Sequence, residues 1–404
     1  PHIKQNNSQY QDYNMRGKMQ QIYLDYASTT PLAEEVVAEM GALMNNSSYG
    51  NPSATDHFFG KQAHELIENA RLEVASLINS LPDEIIWTSG ATEANNLAIL
   101  GLSRFKATDS KRQIISSFAE HKSVIEPCKQ LEKEGLELLL LSPNTNGSID
   151  INELEKAISE KTLLVSLMHI NNEIGSINDI RSMGHVCRKS NIFFHVDAAQ
   201  GIGKLPIDVK DCNIDLMSLS AHKIYGPKGI GALFIDKESV GRIEPILSGG
   251  GQERALRPGT LATHQIGGMA RAYRIAKDKM ADDHDHLMAC RTVFLDNCKG
   301  LTGMQVNSNP DHAFPGILSI STKGLHAESI IYDMRTIAVS KGSACTSDNE
   351  EPSHVLKAMG LSQDFINGTV RFSFGRNTTL EDVQFASELY GNSINRLNRL
   401  RGKK

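Results

Sequence analysis

Seven short runs of the chain are candidate strands, most of them apolar on both faces. They are "EIIWTS" (84–89), "RQIISS" (112–117), "LELLLLS" (136–142), "TLLVSLMHI" (162–170), "NIFFHVDA" (191–198), "DLMSLSAH" (215–222) and "IGALFI" (230–235). A strand wetted on one face alternates apolar and polar residues; these do not, so they predict strands covered on both faces. Helical spacing fills several of the gaps. It is clearest over residues 56–79, where Phe59, Ala63, Leu66, Ile67, Ala70, Val74, Leu77 and Ile78 recur at intervals of three and four. Strands alternating with helices predict an α/β fold with a doubly wound, mostly parallel sheet. Ligands of such sheets bind beyond the carboxyl ends of the strands. After Leu261 the pattern changes. One long helix is expected to about Gly300, and then "GILSIS", "IAVSKGS" and "TVRFSFG" are mixed with helices. That part reads as a second, smaller α+β domain.

Bulk composition changes this picture little. The chain has 404 residues, 40% hydrophobic and 22% charged, the profile of an ordinary globular protein. A net charge of -5 argues against direct nucleic-acid binding or membrane-surface binding as the main activity. No apolar run approaches the roughly 20 residues of a membrane span. Residues 1–20 are polar and read as a disordered arm or an expression remnant, with the fold starting near Gln21. The basic end "RLNRLRGKK" reads as a last helical turn with cations at the negative end of the dipole. Six cysteines are scattered with no CxxC pair and no zinc spacing, which predicts reduced thiols in a cytoplasmic protein. Five sit in apolar or helix-like surroundings. Cys345 lies in the polar loop "SKGSACTSDNEEP", where a lone thiol is a liability unless it is used.

Polar residues recur where the apolar runs stop. "TSGATEANN" follows a strand with a glycine turn and a helix start, which offers free N–H groups to a phosphate. A plain connection with Thr92 as cap is the alternative. "HVDAAQ" ends a strand on Asp197, with Gln200 a turn later. A carboxylate there needs a cation, either a structural arginine or a protonated ring nitrogen. "SAHK" then places Lys223 at a strand end, salt-bridged at a domain interface or bonded as an imine. A phosphate cradle, a buried Asp and a strand-end Lys together are what pyridoxal 5'-phosphate requires. His121 in "AEHK" stacks on a flat ring or caps a helix. Asn171, Asn172 and Glu173 in "HINNEIG" serve a ligand or a turn. Arg371 in "TVRFSFGR" clamps a carboxylate or makes a structural ion pair. "DDHDH" (282–286) has metal-ligand chemistry, but its setting reads as a solvated helix face, and no metal is expected. "GGGQERALRPGT" is a flexible loop from which Thr260 could reach a phosphate.

The motifs "YLDYASTTP", "YGNPSA", "TSGATEANNLAI", "HINNEIG", "HVDAAQGIGKLPID", "SAHKIYGPKGIGAL", "GGGQERALRPGT", "GSACTS" and "VRFSFGR" occur in this order. Together they resemble the NifS/IscS-type cysteine desulfurases, over residues 22–397. The resemblance implies a fold-type I pyridoxal-phosphate enzyme with a mostly parallel seven-stranded sheet. It implies an N-terminal segment (21–33) joining a small domain, a large domain (34–280), and a small domain (281–404) carrying the Cys345 loop. It implies Lys223 as Schiff-base lysine and proton carrier, Asp197 on the ring nitrogen, Gln200 on the phenolic oxygen and His121 on the ring face. The phosphate falls to Ala91, Thr92, Ser220 and His222, with Thr260 reaching the other subunit's phosphate in a homodimer. Asn172 and Arg371 take the carboxylate of L-cysteine. Cys345 becomes the persulfide-forming nucleophile, on a long mobile loop, that hands sulfur to an acceptor protein. The chain stops at Lys404 without the C-terminal tail that IscS proteins use to grip their scaffold protein, and it reads "RPGT" for "RSGT". Those departures leave room for specialised delivery, to DNA phosphorothioation as in DndA and SspA or to tRNA thiolation, beside iron–sulfur cluster assembly. Rival expectations are a selenocysteine lyase, another aminotransferase-like pyridoxal enzyme, or a non-catalytic sulfur-relay platform on the same fold.

Overall fold

The computed structural model describes residues 21–45, 49–341 and 352–402. Seven strands form the large sheet: β2 (Ile85–Thr88), β3 (Gln113–Ser117), β4 (Glu137–Leu141), β5 (Thr162–Met168), β6 (Phe193–Asp197), β7 (Leu216–Ser220) and β8 (Gly231–Ile235). Their order is β2-β8-β7-β6-β5-β3-β4. β8 runs antiparallel to both neighbours and every other pairing is parallel. Each predicted run forms a strand, and all but edge strand β4 are buried on both faces.

Alternation along those strands builds the two apolar layers of the large-sheet core, one on each face. Ile85 and Trp87, Ile115, Val165 and Leu167, and Ala232 and Phe234 point to one. Ile86, Ile114, Leu164, and Leu233 and Ile235 point to the other. Successive side chains leave a strand on opposite faces, so a fully apolar strand supplies both layers. Edge strand β4 is the partly exposed one. The helix expected at 56–79 runs Phe58–Leu77, with His57 as its N-cap.

A second core gathers around β9 (Met304–Val306), β10 (Ile317–Thr322) and β12 (Thr369–Ser373), an antiparallel sheet of order β12-β10-β9. β1 (Ile22–Tyr23) pairs in parallel with β11 (Ile337–Ala338). Ile22, Leu24 and Ala27 thus join this second core. The chain then crosses to the large sheet, where Thr30 N–H donates to the His222 carbonyl at 2.9 Å. One 35-residue helix, Thr263–Asn297, serves both cores. Ile266, Met269, Ala270, Tyr273 and Ala276 are buried in the first, and Leu287, Cys290 and Phe294 in the second.

The glycine-rich loop is tied down by a charge that its sequence did not single out. Glu253 is buried and accepts Arg71 Nη1 at 2.9 Å, Arg71 Nη2 at 2.8 Å and the Trp87 N–H at 2.7 Å. Glu253, Arg254 and Ala255 all have left-handed backbones, with φ of 46°, 57° and 62°. Non-glycine residues adopt that conformation at a cost, which the surrounding bonds must offset. Arg71→Met strands a buried carboxylate. Its expected cost is about 3–5 kcal/mol, read as a fall in urea midpoint; an unchanged midpoint contradicts it.

Burial also sets an acid limit. His169 and His195 lie inside the large domain. Loss of hydration lowers their imidazoles from 6.5 to about 4 and about 3. His195 is held neutral between Ser166 Oγ (2.8 Å) and Ser218 Oγ (3.0 Å). The unfolded chain takes up these protons below about pH 6.5 and the folded one does not. Stability is therefore full above that pH and falls as the medium is acidified towards the folded values. Each histidine is expected to cost about 2 kcal/mol between pH 7.5 and pH 5. Equal urea midpoints at the two pH values would refute this.

Candidate active site

A cavity of about 540 Å³ lies at the carboxyl edge of the parallel strands. It is lined from the turn after β2 by Gly90, Ala91 and Thr92, and after β3 by His121. Asn172 follows β5, Asp197 and Gln200 come from the end of β6, and Ser220, His222 and Lys223 from the end of β7. Because β8 is reversed, its entrance (Gly229, Ile230) opens on the same edge. Arg371 reaches in from β12 and Ala27, Ser28 and Thr29 from the crossing segment. The structure thus brings together every site residue expected from sequence except two. Thr260 is exposed and lies outside this cavity, and Cys345 falls outside the described residues.

The turn at Gly90 depends on its residue type. Its φ of 152° and ψ of 178° suit glycine alone. A Cβ built there meets no atom within 4 Å, so the space beside the turn is open. A continuous helical run begins at Ala91 and passes through a π-turn at Leu97–Gly101. Glu93 braces the turn by accepting the Ser89 N–H at 2.6 Å and pairs with Arg257 at 3.1 Å.

Asp197 accepts the Ala199 N–H at 2.9 Å on one oxygen and Asn95 Nδ2 at 2.8 Å on the other. Asn95 also donates to Ser123 Oγ at 2.8 Å. His121 caps helix Lys122–Lys133, its Nδ1 accepting the Ser123 N–H at 3.1 Å. The cap reading therefore holds while the ring lines the cavity. An Nδ1 that accepts carries no proton, so the neutral ring carries it on Nε2. Lys223 Nζ donates to the carbonyls of Ala27 and Ser28, both at 2.7 Å. His222 Nδ1 lies 3.1 Å from Thr29 Oγ1. Burial, then the cations Lys223, Lys228 and Lys204, lowers its imidazole to about 4, so His222 is neutral at pH 7. Glu120, beside His121, is pushed well above the usual carboxyl range by burial and by Asp197.

Arg371 is buried, and it makes the ion pair offered as one alternative. Nη2 donates to Asp25 Oδ1 at 2.8 Å and to Ser28 Oγ at 2.6 Å, and Nη1 to the Asn172 carbonyl at 2.7 Å. Its Nε–H is buried with no acceptor among the described residues. Asn171 belongs to a turn, its Oδ1 accepting the N–H groups of Glu173 and Ile174. The acidic-histidine run is consumed elsewhere. Asp283 pairs with Arg376 at 2.6 Å and His286 Nε2 lies 2.9 Å from the Thr378 carbonyl. Among the described residues, no group of three or more His, Cys, Asp or Glu could hold a metal.

The family profile of the class V aminotransferases matches residues 22–385. The chain belongs to the class V aminotransferase family. It is 48% identical over 368 residues to cysteine desulfurase IscS of Vibrio campbellii, covering 91% of each chain. Its structure superimposes on a NifS-like protein with a TM-score of 0.86 at 32% identity, covering 93% of this chain and 100% of that one. It superimposes on SspA in complex with cysteine with a TM-score of 0.78 at 36% identity, covering 89% and 100%. The class V aminotransferases and cysteine desulfurases are pyridoxal-phosphate enzymes, and the donor set here fits that group: an amine, a twice-held carboxylate, and an open helix start.

Sequence reasoning missed Asn95, Ser123, Ser28 and Lys204. Asn95 had a signal, since it follows Thr92 by three residues on a helix and shares its face. The crossing of residues 27–29 had none, because its partners lie almost 200 residues away.

Proposed function

We propose that this chain is a pyridoxal-phosphate-dependent cysteine desulfurase. It converts L-cysteine to L-alanine and loads the sulfur on Cys345. The observation that carries the reading is one cavity joining Lys223, Asp197 and the Gly90–Thr92 turn. The identity with IscS supports it. Bound there, pyridoxal phosphate supplies a protonated ring that accepts the electron pair left at the substrate Cα.

Lys223 would hold the cofactor through its amine and would carry the proton taken from the substrate Cα. Asp197 would pair with the ring nitrogen, and Asn95 and the Ala199 amide hold its two carboxylate oxygens in place. Gln200 would donate to the ring's phenolic oxygen and His121 would cover one face of the ring. The Ala91 amide, Thr92, Ser220 and neutral His222 hold the phosphate. Asn172 and Arg371 bind the substrate carboxylate, Arg371 exchanging partners with Asp25. The Cys345 thiolate attacks the substrate sulfur. An S–S bond forms, the Cβ–S bond breaks, and its electron pair passes to the carbon fragment that leaves as alanine.

We further propose a homodimer in which Thr260 serves the other subunit's phosphate, which suits its exposure outside its own cavity. Two domains are inferred, meeting within helix Thr263–Asn297 where burial passes from one core to the other. No described helix is long and apolar enough to cross a membrane, and a cytoplasmic site is the reading we adopt. For the acceptor, an iron–sulfur scaffold protein is favoured by 48% identity to IscS against 36% to SspA. DNA phosphorothioation or tRNA thiolation is the second reading. Purified protein given L-cysteine and a thiol reductant is expected to release alanine and sulfide in equal amounts. Alanine without sulfide, or neither, would overturn the activity; labelled sulfur that stays off a scaffold protein would overturn the destination.

A further inference from the structure

Residues 198–204 form a coil of successive turns after β6, in which the Gly201 and Ile202 N–H groups donate to the Ala198 carbonyl and the Lys204 N–H to that of Gly201. This places Gln200 and Lys204 four residues apart on one side of the coil. Lys204 Nζ donates to Gln200 Oε1 at 2.7 Å. Gln200 Nε2 in turn donates to the Ala27 carbonyl at 2.7 Å, the same oxygen that Lys223 Nζ approaches at 2.7 Å. Lys204, Gln200 and Lys223 are thus joined through one carbonyl.

The chemistry of an amide makes this arrangement directional. An ammonium or amine at Lys204 is a donor, so it faces the oxygen end of Gln200; the Ala27 carbonyl is an acceptor, so it faces the nitrogen end. Turning the amide over would set two donors against each other and two acceptors against each other. One Nε2–H is spent on Ala27, and the other is what Gln200 offers the cavity it lines. Gln200 is 4% exposed, so water cannot stand in for a lost partner.

We propose that Lys204 is a positioning residue for the cofactor ring, fixing the Gln200 amide so that an N–H faces the ring's phenolic oxygen. The inference rests on the pyridoxal-phosphate reading of the cavity. A second effect follows from placement. Lys204 shares a small space with Lys223, Tyr26, Tyr225, Asp283, His284 and Arg376, and there Asp283 is already paired with Arg376. Lys204 also lies 5.4 Å from the Phe314 ring centre. Burial, then Lys223 and Arg371, lowers its ammonium to about 7. As a cation near Lys223 it disfavours a second positive charge on that nitrogen.

The test compares wild type, Lys204→Met, Lys204→Arg, Gln200→Met and the Lys204→Met/Gln200→Met double variant. Three readouts are taken: the equilibrium dissociation constant for pyridoxal phosphate, the pH at which the bound cofactor's absorbance changes, and the thermal midpoint of the apoprotein. Lys204→Met is expected to weaken cofactor binding about five- to twentyfold, the worth of one lost buried hydrogen bond. It should also move the absorbance transition to higher pH, because a neighbouring cation is gone. Lys204→Arg should recover most of both. In the Gln200→Met background the Lys204 change should weaken binding little further, since the two residues act as one unit. Fully additive losses, or a lowered thermal midpoint with unchanged affinity and absorbance, would overturn the proposal. Failure of the wild type to bind the cofactor would overturn the parent reading, and this inference with it.

Discussion

Lys223→Ala is expected to abolish turnover of L-cysteine while leaving the fold intact. Proton transfer alone is worth about 10²–10⁴ in rate, and the variant also loses the amine that holds the cofactor. Borohydride should fix the cofactor to wild-type chain and not to the variant, as read by intact mass. The fold is expected to survive because the crossing segment keeps other attachments. Thr30 N–H still bonds the His222 carbonyl at 2.9 Å, and Thr30 Oγ1 still accepts the Tyr225 N–H at 2.7 Å. Covalent capture of the cofactor by the variant, or turnover within tenfold of wild type, would remove Lys223 from its assigned role.

Cys345→Ala separates the sulfur step from the carbon chemistry. The variant should retain the cofactor, its colour and its affinity for L-cysteine, since Lys223, Asp197 and Gln200 are untouched. Sulfide release and persulfide formation should fall at least about a hundredfold, in line with loss of a nucleophile. The described cysteines are poor substitutes. Burial pushes Cys128, Cys187 and Cys298 up to about 12 and Cys290 to about 11, and raises Cys212 as well. A thiol attacks as thiolate, and these hold almost none at neutral pH. Sulfide release that persists near the wild-type rate would remove Cys345 as the nucleophile and would favour a lyase-type enzyme that breaks the C–S bond without it.

The large sheet was legible because its strands are apolar on both faces and its helices are periodic, two local signals. The order β2-β8-β7-β6-β5-β3-β4 and the reversal of β8 were not. They follow from which edges pair, and no single run records that. Lys223, Asp197 and the glycine turn were legible as chemistry out of place at strand ends. Lys204 and Glu253 were not, because each looks like an ordinary polar residue of a turn or loop until its partner is known. The two-residue strands β1 and β11 are too short to carry a period. For Arg371 and His121, the two alternatives written from sequence proved compatible. Arg371 is ion-paired and lines the cavity; His121 caps a helix and lines it too.

Helix Thr263–Asn297, about 52 Å long at 1.5 Å per residue, is rooted at each end in a different apolar interior. Its middle, residues 277–286, has no fully buried position. That wetted span is the part of the helix least held by packing. The amine of Lys223 and the guanidinium of Arg371 are tied more directly, since both bond Ser28, so this rod is a second and distant link between the two interiors.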